Sequence, residues 1–217
     1  MKIRLKMSNG RVSAKTGVLS IIVGAAMFCA APTFAMRQGG GQHVPTQDYK
    51  NAVMSPALDE DEKVVAYVRD YQMSRAKSLV KAGFEVEMMR HREVVVIIIP
   101  TMKLFNAGSA EISAKGERRL REVLPYLGEH GFYNIVVAGY TDNTGSPIYC
   151  LRRSDKQAVA VADRLRQLTG SQSIMEFGMG NESPLLPNNT VDNRAVNRRI
   201  EILLVPGDGM LEQAAQE

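Results

Sequence analysis

Two periodicities divide the chain from residue 58 onward. Val64, Val68, Tyr71 and Leu79 recur at roughly helical spacing, and Gly83 ends the run. They follow Asp59, Glu60, Asp61 and Glu62, four acids suited to the positive end of a helix dipole. The spacing predicts a helix over 58–83, either packed on its own domain or presented to a partner. The pattern then shortens to that of strands. Phe84-Glu85-Val86-Glu87-Met88-Met89 alternates apolar and acidic side chains, as an edge strand with one wet face does. A turn at Arg90-His91-Arg92 leads into Val94-Val95-Val96-Ile97-Ile98-Ile99, a β-branched run suited to burial on both faces and closed by Pro100.

Helix and strand then alternate singly. Ser113 is placed to cap a helix reaching about Glu129, with Leu120, Val123, Leu124 and Leu127 as its buried stripe and Pro125 predicting a kink or an early end. A strand follows at 134–139, a helix from about Cys150 to Leu168 stopped by Gly170, a weaker strand at 174–179 and a closing strand at 199–205. This order predicts an α/β fold, an α+β sandwich in which a mixed sheet of about four to five strands carries its helices on one face. It lacks the succession of roughly ten-residue alternating segments that an outer-membrane barrel needs. Residues 36–57, with Gly39-Gly40-Gly41, Pro45 and Pro56 and no periodicity, read as a flexible linker, 84–206 as the folded domain and 207–217 as a polar, frayed tail.

A pI near 9.1 suggests a basic protein until the charge is placed along the chain. Residues 1–35 hold Lys2, Arg4, Lys6, Arg11 and Lys15 and no acid; setting these five aside leaves 22 of the 27 Lys and Arg against all 23 Asp and Glu. The support for a nucleic-acid partner goes with them. The same stretch continues into an apolar run from Val18 to Ala31 and then Thr33-Phe34-Ala35, the form of a cleaved secretory signal. The run is short of the ~20 residues that span a bilayer. Lipidation at Cys29 is the other reading, which the bulky Phe28 before it disfavours. Cys29 and Cys150 are the two cysteines, so removal of residues 1–35 leaves Cys150 without an intramolecular partner and excludes a four-cysteine metal site. His43, His91 and His130 lack ligand spacing, and neither a metal nor a cofactor is implied.

Three segments carry candidate chemistry: Leu104-Phe105-Asn106-Ala107-Gly108-Ser109-Ala110-Glu111-Ile112, Gly139-Tyr140-Thr141-Asp142-Asn143-Thr144-Gly145-Ser146 at the end of a strand, and Asn193-Arg194-Ala195-Val196-Asn197-Arg198-Arg199 entering the last strand. Open α/β sheets hold ligands beyond the carboxyl ends of their strands. A carboxylate such as Asp142 there can take charge-assisted bonds from an ammonium group, or it can cap its own turn. In this order the three segments resemble the peptidoglycan-binding OmpA C-terminal-like family, which includes peptidoglycan-associated lipoproteins and flagellar stator anchors. The resemblance covers about residues 84–206 and implies a βαβαβ core in an exported envelope protein, in the periplasm and associated with the outer membrane. It implies peptidoglycan as partner, bound at the diaminopimelate of the stem peptide without chemistry. The helix over 58–83, in its partner-binding reading, is a candidate surface for outer-membrane or other envelope proteins. Asp142, with Thr141, Asn143, Asn106 and Ala107 around it, would meet the ligand's amino-acid end group, and a helix arginine its carboxylate.

The helix departs from the family pattern. Ser154 and Ala158 match and fix the register, but the family's Asn is Cys150, its Leu is Arg153 and its ligand-binding Arg is Gln157. Asn106 stands for the usual Asp after Phe105, and Asn193 for the usual Gly before Arg194. A bond from a charged donor contributes ~1.5–3 kcal/mol against ~0.5–1.5 for a neutral one, so the Arg-to-Gln change weakens carboxylate capture by about ten-fold or more unless another cation compensates. Arg153, one turn before Gln157 on the same face, is the candidate; its other reading is a solvated side chain or a pair with Asp155. Asn197, Arg198 and Arg199 read mainly as ties for the neighbouring loops, with ligand contact by Arg198 as the alternative, and Arg194 as a rim residue. Phe105 reads as support for the pocket. Two functions follow: a wall-binding tether, or a relative that kept the fold, lost the ligand and serves as a scaffold. No nucleophile elbow, metal motif or paired carboxylates point to an enzyme.

Overall fold

The computed structural model describes residues 46–55, 58, 61–129 and 131–217. The expected signal over 1–35 lies outside them, as do Cys29 and the first part of the expected linker.

A five-stranded mixed sheet organises the domain. β1 (Glu85–Met89) and β2 (Val94–Pro100) form the hairpin, β3 (Tyr133–Tyr140) and β4 (Ile174–Gly178) run parallel, and β5 (Arg199–Pro206) lies between β2 and β3, giving the order β1-β2-β5-β3-β4. β5 is antiparallel to both of its neighbours. The β-branched run behaves as its composition requires. Val95, Ile97 and Ile99 enter a core beneath the helices, while Val94, Val96 and Ile98 enter a second core on the opposite face. β1 buries Val86 and leaves Glu85 exposed, as an edge strand does.

Three longer helices cover the first face. α2 (Glu62–Lys81) is capped by Asp61, whose side chain accepts from the Lys63 N–H at 2.9 Å. It lays Val68, Gln72, Ala76 and Leu79 on the sheet, so the apolar face of the 58–83 helix is spent within its own domain. Buried Gln72 is satisfied on every side: its amide donates to the carbonyls of Glu93 and Leu204 and its oxygen accepts from the Tyr133 hydroxyl. α3 (Ala114–Val123) has Ser113 as its N-cap, and Pro125 confines the expected continuation to one tight turn ending at Tyr126. α4 (Pro147–Thr169) begins three residues before the expected Cys150 because Ser146 caps it and Pro147 takes its first position.

Three expectations are corrected. The linker over 36–57 contains α1 (Thr46–Met54), which buries Ala52 and Val53 against the second face of the sheet, so helices lie on both faces. Its Tyr49 ring meets Phe177 edge-on at 5.7 Å, and Arg90 donates to the Val53 carbonyl at 3.0 Å. α5 (Val191–Asn197), capped by Thr190, precedes β5 where no helix was expected. The tail after Pro206 is not frayed. α6 (Asp208–Ala214) buries Met210 and Ala214, one turn apart, in the first core.

Candidate functional site

Strand register assembles the site. Tyr140 pairs with Arg199 where β3 and β5 run antiparallel, so the residues just after one and just before the other lie at the same end of the sheet. Arg198 thereby comes beside Asp142, 56 positions earlier in the chain, and its Nη1 donates to Asp142 Oδ2 in a close ion pair. Asp142 Oδ1 accepts from the Thr144 N–H at 2.9 Å, the Asx-type turn the loop composition allows. The Asp142 side chain is 8% exposed and that of Arg198 is 38% exposed. The carboxylate is therefore recessed and the guanidinium reaches solvent.

The elements beneath hold this end in place. The Thr141 N–H donates to the Gly180 carbonyl at 2.7 Å, and the Gly180 N–H to Ser154 Oγ at 2.8 Å. Cys150 is a buried free thiol whose Sγ donates to the carbonyls of Asp142 and Thr144, both at 3.6 Å, and so braces the loop from below. Thr141 Oγ1 is buried and unpartnered among the described residues. Asn143 is exposed.

Gln157 is buried, and its amide donates to the Ser109 carbonyl at 3.2 Å. That bond ties α4 to the 104–112 loop, which a bridge between Phe105 and Ile112 closes and in which exposed Asn106 bonds Glu111 through its backbone and side chain. Ala107 is exposed at the loop's tip. Arg153 Nη1 donates to the Tyr149 hydroxyl at 2.9 Å. The cation beside the carboxylate is Arg198. Asn197 grips the loop after β4, bonding both the N–H and the carbonyl of Leu186, while Arg194 holds the Asn188 carbonyl at 3.1 Å. Tyr149 and Ser109 were not foreseen as site residues. Neither has a signal in a single sequence, since one is an aromatic in a helix's first turn and the other acts through its backbone.

Burial pushes the Asp142 carboxyl up, but the Thr144 N–H and the Arg198 guanidinium outweigh it and leave the group below its ordinary 3.8. A depressed carboxyl stabilises the fold at every pH above its unfolded value and loses that contribution as pH falls through its folded value. Urea titrations of wild type and Asp142→Asn should accordingly show a stability gap at pH 7 that narrows below about pH 4. A gap constant from pH 7 to pH 2 would mean the carboxylate gains nothing from its partners.

Residues 104–198 match the model of the OmpA family. The chain is similar to YiaD of Escherichia coli, 31% identical over 143 residues that make up 65% of either chain. It is also similar to the peptidoglycan-binding protein ArfA of Mycobacterium tuberculosis, 40% identical over 72 residues, 32% of this chain and 22% of that one. The matched part thus falls short of two thirds of these relatives' length. Among solved structures, the cell wall anchor of the T6SS from Pseudomonas aeruginosa superposes with a TM-score of 0.54 at 24% identity, covering 64% of this chain and 99% of that one. A MotB-like protein from Desulfovibrio vulgaris gives 0.56 at 22%, covering 64% and 93%. Such identities carry the fold alone. The Asp142 loop, with β3 and β4 of the sheet, lies within the part of the chain, residues 104–198, that matches the OmpA family.

Proposed function

We propose that this domain binds peptidoglycan non-covalently through the Asp142–Arg198 pair, with the diaminopimelate end of the stem peptide as ligand, and tethers an envelope protein to the cell wall. The observation that carries it is a recessed carboxylate joined to a solvent-reaching guanidinium at the carboxyl end of β3. An amino-acid end group bears one ammonium and one carboxylate, so it needs both signs within a few ångströms. Each oxygen of Asp142 has a second lone pair, and Arg198 has further N–H donors beyond the one Asp142 takes. Ligand entry turns one ion pair into two: the ammonium takes Asp142 and Arg198 turns outward to the carboxylate. Arg198 then supplies the charge that Gln157 lacks. The peptidoglycan-binding relative supports this reading, as does a leader of signal-peptide form.

A second reading is favoured by one observation: Asp142 and Gln157 already have partners within the chain. The domain would then be a scaffold that has lost the ligand. Sedimentation with purified sacculi separates the two. Wild type should co-sediment and be released by free diaminopimelate. Asp142→Ala and Arg198→Ala should each lower the affinity ten-fold or more, as the loss of a charge-assisted bond implies. Absence of wild-type retention at low salt would overturn the tether and favour the scaffold reading.

A further inference from the structure

Tyr149 is a large aromatic in the first turn of α4, and 51% of it is exposed. An exposed tyrosine is ordinarily free to turn, yet this one has a bond at its hydroxyl and a close neighbour at its ring edge. Arg153 donates to its hydroxyl from one turn further along the helix. Its ring edge lies over Gly145, where φ is +108° and an added Cβ would fall 2.8 Å from Tyr149 Cδ1. A side chain at 145 would displace the ring, so the glycine serves the ring's position as well as the turn. Gly145 directly follows Thr144, whose N–H holds Asp142 Oδ1. The neighbouring Ile148 is also 52% exposed.

A rigid, solvent-facing ring beside a charged site loses little entropy when a ligand covers it. Tyrosine pairs a broad apolar face with a polar tip that a partner can fix, a combination enriched where proteins meet ligands. Here the tip is already fixed from within, by Arg153, and the apolar part of the ring remains to be covered. That gives Arg153 a role as the tether of the ring.

We infer that Tyr149, positioned by Arg153 and Gly145, is a stacking platform for an aliphatic C–H face of the ligand adjoining its charged end group. The inference rests on the peptidoglycan reading above and extends it. Two parts of a wall fragment present such a face, the saccharide ring and the alanyl methyl groups of the stem peptide. Both offer the same chemistry to an aromatic ring.

Proton NMR of soluble ligands titrated with the full-length protein tests this. The ligands are a disaccharide-tetrapeptide, the free tetrapeptide and the tripeptide lacking the terminal alanine. Ring-current shifts should appear on sugar protons or on an alanyl methyl in wild type and vanish in Tyr149→Ala, with the affinity about five-fold weaker. Sugar protons identify the glycan as occupant; methyl protons identify the peptide. Tyr149→Phe should keep the shifts but scatter them, since the Arg153 tether is gone, and Arg153→Ala should do the same. Identical shifts and affinities in wild type and Tyr149→Ala would overturn the platform while leaving Asp142-dependent binding intact. Failure of wild type to bind any of the three ligands would overturn both readings together.

Discussion

Replacing Glu201 by alanine should cost about 3–5 kcal/mol of folding free energy, the penalty for leaving a buried charge without its partner. Arg199 and Glu201 are 2% and 7% exposed on the central strand β5, and Arg199 Nε donates to Glu201 Oε1 at 2.7 Å. Each nitrogen of the guanidinium has a partner. Nη1 donates to the Asn197 carbonyl, Nη2 to the Ser183 carbonyl, and its carbon sits 3.8 Å over the Tyr140 ring. Remove the carboxylate and the cation keeps its desolvation without its counter-charge. Such a loss is a large share of the ~5–15 kcal/mol that holds a domain together. The two tyrosines nearby register the same field. Burial, and then the Glu201 carboxylate, push Tyr140 well up and Tyr49 to about 12. Urea unfolding of Glu201→Ala measures the effect. Arg199→Met/Glu201→Leu should recover much of it, because two apolar side chains need no compensation. A loss under about 1 kcal/mol in the single variant would show the pair to be well hydrated.

The location of this pair gives it a bearing on the site. Arg199 is adjacent to Arg198 and pairs in register with Tyr140, two residues before Asp142. The second core thus fixes the strand ends from which the candidate ligand pair projects. α1 covers this same face, where Tyr49 reaches the Tyr140 hydroxyl at 3.5 Å.

What could be read from the sequence was local, and what could not was held by distant contacts. β2 announced itself because each face of the strand enters its own core, so every position is apolar. Helix α1 gave no such signal: nine residues between Gly- and Pro-containing stretches carry one short apolar face, and Phe177 and Arg90, which hold it, come from far along the chain. Met210 and Ala214 stood one turn apart in plain view, but a helix of seven residues forms by docking and not by propensity. At the site, Asp142 was legible because a strand ending in Gly-Tyr-Thr-Asp places a carboxylate at a loop whatever follows. Its partner was legible only as a tie for the neighbouring loops. Arg153 was the plausible cation because helical spacing is readable, whereas Arg198 meets Asp142 only once β5 is known to lie beside β3.

Gly139→Ala should lower stability by about 3 kcal/mol and the melting temperature by roughly 6–12 °C. A Cβ on Gly139 would stand 2.4 Å from the Ser154 carbonyl oxygen, and its register partner Gly178 meets the Asp155 N–H at 2.5 Å in the same way. Two glycines side by side on β3 and β4 let the middle of α4 rest on the sheet backbone. The obstacle is a main chain inside a 23-residue helix, so no rotamer change relieves it. The helix must lift or the strand must bow, and either movement breaks contacts along Ala158, Val161 and Ala162. The same approach positions Ser154 to accept the Gly180 N–H and Cys150 to brace the carbonyl of Asp142. Sacculus retention of Gly139→Ala should therefore fall even at temperatures where the variant is fully folded, since Asp142 leaves the sheet three residues beyond the clash. Calorimetry and sedimentation on one preparation separate the two effects. An unchanged melting temperature would mean that α4 yields without strain, and retention unchanged in a destabilised variant would mean that the loop is placed by β5 alone.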